Sequence, residues 1–144
     1  MKVAIVGTGF IGQAWAIVFA RAGCEVYLWD ADPVALNESL HGITARLQEL
    51  DKHGLIDASD ARGRIQTRAT LEQAVEDVEY VQENLPEVLE IKVDVFRDLD
   101  RLAPRNAVLA SSSSGLPVST FASDRGRLRA HIVDRTVSVL AQLP

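Results

Sequence analysis

The sequence predicts an α/β fold: a doubly wound, mostly parallel sheet in a single domain. Three observations carry this. Short apolar runs rich in β-branched residues alternate with amphipathic stretches at helical spacing, the pattern of parallel strands joined by right-handed helical crossovers. A glycine turn, Gly7-Thr8-Gly9-Phe10-Ile11-Gly12, follows the first apolar run directly. An acid, Asp30, closes the second run, eighteen positions beyond Gly12.

The first thirty residues therefore read as strand, turn, helix, strand, acid. Lys2-Val3-Ala4-Ile5-Val6 is a continuous apolar run of the kind buried on both faces of a parallel sheet. After the turn, Gln13 to Arg21 carries Ala14, Ile17 and Val18 at helical spacing, and Gly23 falls where a helix C-cap is expected. Glu25-Val26-Tyr27-Leu28-Trp29 is the second strand. In a G-x-G-x-x-G turn each glycine has its own task. Gly7 permits the tight bend, Gly9 lets backbone approach a pyrophosphate, and Gly12 lets the helix pack close to the strand. The helix beginning there offers unpaired N–H groups and the positive end of its dipole to the phosphates. Asp30 can accept hydrogen bonds from the adenosine ribose hydroxyls and would repel a 2′-phosphate, which favours NAD over NADP. Strand, turn, helix, second strand and acid together indicate a Rossmann-type dinucleotide site. FAD and S-adenosylmethionine sites use related turns, so the motif specifies the fold more tightly than the ligand.

Farther along, Asp32-Pro33 opens a long helix with a capping acid and an N1 proline. Its apolar face, Val34, Leu36, Leu40, Ile43, Leu47 and Leu50, runs to about Lys52, and Gly54 ends it. The polar stretch 55–62 reads as a turn or a short helix. Arg64 to Thr67 forms a modest strand, Thr70 to Val75 a short capped helix, and Val78 to Gln82 a fourth strand. Glu83-Asn84-Leu85-Pro86-Glu87 leaves that strand at its carboxyl end, the edge where open parallel sheets hold ligands. Val88 to Leu102 is helical through Leu89, Val93, Phe96 and Leu99, and Pro104 stops it. Ala107 to Ala110 is a fifth strand, followed by Ser111-Ser112-Ser113-Ser114-Gly115. Leu128 to Val133 reads as a further strand ending in Asp134, and Thr136 to Leu140 as another.

The 144 residues suffice for one domain with a sizeable core, and the 47% apolar share fits an ordinary interior. A formal charge of −5 and a pI near 5.1 argue against nucleic-acid and anionic-membrane surfaces, since no basic cluster is large enough to neutralise phosphates. Arg125, Arg127 and Arg129 read as solvated surface. The single cysteine, Cys24, cannot form an internal disulfide and reads as a small packed residue. The core strand begins two residues into the chain, which leaves no space for a leader and makes the cytoplasm the expected compartment. No apolar run approaches membrane-spanning length, and no His, Cys and carboxylate spacing suggests a metal site.

Four side chains carry chemistry beyond the turn. Glu87 and Lys92 lie near one end of the helix that follows strand four; five apart, their spacing is equally that of two solvated charges or of a functional pair. The serine run, Ser114 included, is by itself a turn or a source of hydroxyls for substrate. His131 is a half-buried strand histidine or a base.

With these residues in view, the chain resembles the NAD-binding domain of the 3-hydroxyacyl-CoA dehydrogenase family, and within it the lambda-crystallin or L-gulonate 3-dehydrogenase branch. The likeness rests on Val6 to Ala16, on Gln82-Glu83-Asn84-Leu85-Pro86-Glu87 with Leu89, Lys92 and Phe96, on Ala110 to Leu116, and on Ala130-His131. It implies an NAD-dependent oxidoreductase that oxidises a 3-hydroxy group of an acyl-CoA or hydroxy acid, as in fatty acid metabolism. Phe10, Ile11 and Asp30 would contact the adenosine half of NAD, and Glu87 and Lys92 would also serve the cofactor. Ser114 would bond the substrate oxygen, and His131 would take the hydroxyl proton as hydride leaves. Sixteen residues separate Ser114 from His131, fewer than the family pattern leads one to expect. The family's asparagine-proline pair after the histidine is Asp134-Arg135 here, and Gln142 stands near where a glutamate would orient the imidazole. A neutral amide supports an imidazolium less than a carboxylate does. The resemblance implies that residues 1–144 are the cofactor domain without the family's helical second domain. The alternative is then a catalytically incomplete NAD-binding module, and an uncovered apolar face or sheet edge favours a homodimer.

Overall fold

A computed structural model of the chain describes residues 1–121. The elements in order are β1 (Lys2–Val6), α1 (Phe10–Arg21), β2 (Glu25–Trp29), α2 (Pro33–Lys52), α3 (Ala58–Gly63), β3 (Ile65–Thr67), α4 (Leu71–Val75), β4 (Tyr80–Glu83), α5 (Leu89–Leu102) and β5 (Val108–Ser111), with a 3₁₀ turn at Val118–Thr120. The five strands form one sheet of order β3-β2-β1-β4-β5, every pairing parallel. The expected strands at 128–133 and 136–140 lie outside the described residues.

β1 explains why its sequence is apolar without alternation. Val3 and Ile5 point into a layer with Ala16, Ile17 and Ala20 of α1 and Ile43 and Leu47 of α2. Ala4 and Val6 point the other way, into a layer with Val81 and with Val95, Phe96 and Leu99 of α5. Both faces of the central strand are covered, as parallel sheets require.

The caps follow the sequence closely. Asp32 accepts a hydrogen bond from Val34 N–H at 2.8 Å at the head of α2, and Thr70 accepts one from Gln73 N–H at 3.2 Å at the head of α4. At the tail of α1, Gly23 takes φ +83, Gly23 N–H donates to Ala20 O at 3.0 Å and Cys24 N–H to Phe19 O at 3.0 Å. That pair of bonds is a Schellman motif, which needs a left-handed residue at the glycine position. Gly54, φ +68, closes α2 in the same way through Gly54 N–H to Asp51 O at 2.8 Å and Leu55 N–H to Leu50 O at 3.0 Å. Within the polar stretch 55–62 the chain forms the start of α3, capped by Asp57, whose side chain accepts from Asp60 N–H. α1 begins at Phe10, so Gly12 lies inside its first turn. β4 runs from Tyr80 to Glu83 instead of Val78 to Gln82, because its ladder with β1 begins at the Val3–Tyr80 pair.

The chain order places β2 and β3 on one side of β1 and β4 and β5 on the other. The crevice between the carboxyl ends of β1 and β4 is thus the topological switch point, where such sheets bind ligands.

The packing of Gly12 yields a stability prediction. A Cβ there would stand 2.0 Å from the Gly7 carbonyl oxygen, against backbone that cannot step aside. Gly12→Ala is expected to lower the unfolding free energy by about 3 kcal/mol or more, read from urea denaturation. Gly63→Ala, where a Cβ meets nothing within 4 Å, should raise it by about 0.5–1 kcal/mol.

Candidate functional site

The glycine turn is wedged between neighbouring backbones. Gly7 N–H donates to Trp29 O at 2.9 Å, and Asn84 N–H donates to Val6 O at 2.7 Å. Gly7 adopts φ +91, and a Cβ on it would lie 2.9 Å from the carbonyl carbon of Asn84. Gly9 is different: a Cβ there would meet nothing within 4 Å. Gly7 and Gly12 are therefore demanded by the protein's own packing. Gly9 is not, and it is the position at which a ligand needs close access to backbone. Gly9 is also the N-cap of α1 and supplies no side-chain cap, and the first turn carries no acid. The leading amides of α1 thus keep their free N–H groups, an arrangement suited to phosphate. Phe10 and Ile11, exposed 69% and 42%, flank this opening.

Asp30 faces the turn from the end of β2. Its Oδ2 accepts from Thr8 N–H at 2.7 Å and from Thr8 Oγ1 at 2.9 Å, while Oδ1 accepts from Asp32 N–H at 3.0 Å. A carboxylate has about four acceptor positions; three are taken, which leaves one for a sugar hydroxyl. The residues fit a dinucleotide: open backbone at Gly9, uncapped amides at the head of α1, and an acid one strand away.

Lys92 is buried, not solvated. It is 1% exposed and pairs with Glu83, which is 0% exposed. Its Nζ donates to Glu83 Oε1 at 2.9 Å, to Glu83 Oε2 at 3.0 Å and to Leu85 O at 3.3 Å, which uses all three ammonium hydrogens. Glu83 is equally saturated, since Oε1 also accepts from Leu85 N–H at 2.6 Å and Oε2 from the Ser111 hydroxyl. The pair therefore ties the end of β4 to α5 and β5.

Glu87, exposed at the turn before α5, turns to the serine run instead of to Lys92. Its Oε1 accepts from Ser113 Oγ at 2.6 Å and from the N–H groups of Ser114 at 3.1 Å, Gly115 at 2.7 Å and Leu116 at 3.1 Å. The Ser113 hydroxyl bond, aided by the Gly115 and Leu116 amides and the Lys92 charge, holds the Glu87 carboxyl below its ordinary 4.5 against the opposing effect of burial, which only the Ser113 bond exceeds singly. Ser114 sits exposed within this clasped turn.

Ser112 is the third node. Its hydroxyl accepts from Trp15 Nε1 at 3.2 Å and from Gln82 Nε2 at 2.9 Å and donates to Asn84 Oδ1 at 2.7 Å. Tyr80 adds its hydroxyl to Gln82 Oε1 at 2.9 Å, and burial raises that phenol above 10.0. α1, β4 and β5 are thus linked by polar contacts at the crevice.

Gly7, Gly9, Phe10, Ile11, Gly12 and Asp30 gather around the first turn, and Glu87 meets the backbone of Ser114. His131, Asp134 and Gln142, like the arginines from 125 to 129, lie outside the described residues. Sequence reasoning missed Glu83 as the partner of Lys92, and missed the Ser112 node. One signal was present: Leu89, Lys92, Phe96 and Leu99 recur at helical spacing, which sets Lys92 on the buried stripe of α5, where an ammonium requires an acid. Gln82 and Glu83 in an otherwise apolar strand point the same way.

The strand order and the glycine turn at the switch point define a Rossmann-type domain. The chain belongs to the family described as 3-hydroxyacyl-CoA dehydrogenase, NAD binding domain, whose pattern matches residues 2–133. L-Carnitine dehydrogenase of Streptomyces griseus is 41% identical over 130 residues, covering 88% of this chain and 38% of that protein. Lambda-crystallin of Oryctolagus cuniculus is 32% identical, covering 99% of this chain and 46% of that one. Among solved structures, 3-hydroxybutyryl-CoA dehydrogenase from Escherichia coli K12 superposes with a TM-score of 0.85 at 26% identity, covering 92% of this chain and 29% of that one. The chain thus spans less than half the length of these relatives. Among the described residues, no helix is long and apolar enough to cross a membrane.

Two outcomes follow from this geometry. Lys92→Met leaves the Glu83 charge buried without a partner and is expected to cost about 3–5 kcal/mol in chemical denaturation, much of it regained in the Glu83→Gln/Lys92→Met double variant. The Glu87 clasp, whose carboxyl titrates below its unfolded value, stabilises the turn above 4.5 and loses that effect as pH falls through the lower folded value. NMR should show the Ser114, Gly115 and Leu116 amides shifting together with a midpoint below 4.5, and Glu87→Gln should abolish that titration.

Proposed function

We propose that this chain binds NAD in the crevice between β1 and β4 and is the cofactor domain of an NAD-dependent dehydrogenase acting on a 3-hydroxy group. The observation that carries the reading is Asp30, held beside the glycine turn by Thr8 with an acceptor position left for the adenosine ribose. Gly7, Gly9 and Gly12 shape the phosphate turn, and Phe10 and Ile11 border the adenosine half. NAD, when bound, accepts the hydride of the alcohol carbon.

The chain's own residues have distinct parts. Lys92, with its hydrogens spent on Glu83 and Leu85, serves the cofactor by fixing the loop after β4. Glu87 fixes the turn that carries Ser114, whose hydroxyl bonds the substrate oxygen. His131 takes the hydroxyl proton, a role supported by the family pattern. The substrate is a 3-hydroxyacyl-CoA or a 3-hydroxy acid; the named activities of the relatives, L-carnitine dehydrogenase and 3-hydroxybutyryl-CoA dehydrogenase, supply the first candidates. Asp134-Arg135 and Gln142, in place of the family's asparagine-proline pair and glutamate, favour a second reading: a domain that holds NAD and turns over nothing by itself.

Calorimetry on the chain decides the cofactor assignment. NAD binding should weaken roughly tenfold or more in Asp30→Ala, the consequence of losing one hydrogen bond to a charged acceptor. Equal affinity in both proteins would refute it. NADH absorbance with L-carnitine or 3-hydroxybutyryl-CoA, lost in His131→Ala, separates the catalytic reading from the binding-module one.

A further inference from the structure

α1 and α2 meet in a slot at Gly42. A Cβ on Gly42 would stand 2.5 Å from Gln13 Oε1 and 3.1 Å from Arg46 Nη1, so the missing side chain is what admits the Gln13 amide. That amide is gripped at both ends. Its Nε2 donates to the carbonyl of Thr8 at 2.9 Å, and its Oε1 accepts from Arg46 Nη1. Only one orientation of the amide serves both partners, because Thr8 O accepts and a guanidinium donates.

The same guanidinium lies over the ring of Phe10, 5.0 Å from its centroid. Phe10 is the first residue of α1, and Gln13 links the guanidinium to the Thr8 carbonyl of the turn, so Arg46 reaches the head of that helix from α2. Arg46 is half-buried. Arg68 rests on the Tyr27 ring and Gln66 at the edge of the sheet, but Lys2, Lys52, Arg64, Arg97 and Arg101 each pair with an acid. Arg46 is braced instead by a neutral amide and a ring, and among the described residues no carboxylate oxygen forms an ion pair with it. A guanidinium carries five N–H donors in a planar fork matched to phosphate oxygens. With Nη1 committed to Gln13, donors remain, and no acid among the described residues neutralises the charge.

We propose that Arg46 is a pyrophosphate-binding residue of the dinucleotide site, an assignment that rests on the NAD reading above. Gln13, the Gly42 slot and the Phe10 ring hold the guanidinium at the glycine turn. There it adds a full positive charge to the partial charge of the helix terminus, equivalent to about half a unit. The Gln13 link also couples this charge to the turn itself, since the Thr8 whose carbonyl Gln13 engages also donates to Asp30.

The test is titration of the chain with NAD at several sodium chloride concentrations, with thermal melts confirming that each variant folds. Arg46→Gln is expected to bind NAD about tenfold more weakly and with a shallower salt dependence, because one charge contact to phosphate is lost. Arg46→Lys should restore the salt dependence and part of the affinity. Gly42→Ala, which displaces the Gln13 amide while leaving Arg46 in the sequence, should also weaken NAD. A wild-type chain that binds NAD no more tightly than Arg46→Gln overturns this assignment alone, as does weaker binding with an unchanged salt dependence. A wild-type chain that binds no NAD overturns the cofactor reading and this assignment with it.

Discussion

Glu83 and Lys92 meet out of water at the carboxyl end of β4, and the arrangement of the crevice depends on that meeting. Two charges removed from solvent are stable only when their remaining donors and acceptors are also filled, and here each one is. The acid takes the ammonium, the Leu85 amide and the Ser111 hydroxyl; the ammonium reaches back to Leu85 O. These bonds determine where the chain leaves β4, how α5 starts and where β5 ends. The loop carrying Asn84 and Glu87 is defined on both sides by this contact. A hydrophobic pair of similar volume could pack there, but it would not dictate the path of the intervening backbone.

From that anchor the site assembles in two parts. On one side, Asn84 abuts Gly7, and the glycine turn runs into an uncapped helix with Asp30 across from it. On the other side, Glu87 gathers three successive amides and a hydroxyl onto one oxygen, giving the serine run a defined shape. Ser112 joins the parts, since it receives Trp15 from α1 and Gln82 from β4 and donates to Asn84. The hydroxyls of the run therefore differ in function: Ser111, Ser112 and Ser113 are spent on structure, while Ser114 is presented.

Much of the fold was legible because local signals and burial agreed. The continuous apolar run of β1, the Asp32-Pro33 cap, and the glycines closing α1 and α2 each specify their element by short-range chemistry. The G-x-G-x-x-G turn and Asp30 were legible for the same reason. Lys92 was not, because reading it against Glu87 relied on proximity in sequence. Its partner is nine residues back, on a strand, and only the sheet brings the two together. Arg46 was hidden similarly, since the slot that accepts Gln13 exists only once α1 and α2 are packed.

The two rims of the crevice differ in stiffness. Along the β1 rim, backbone presses on backbone at Gly7, Gly12 and Asn84, leaving that side no freedom to shift without dismantling the sheet. The β5 rim is an exposed turn whose shape is maintained through one carboxylate oxygen. A change in the shape of the crevice therefore falls first on the serine side, where one side chain carries the turn, and last on the β1 rim, where backbone is packed against backbone.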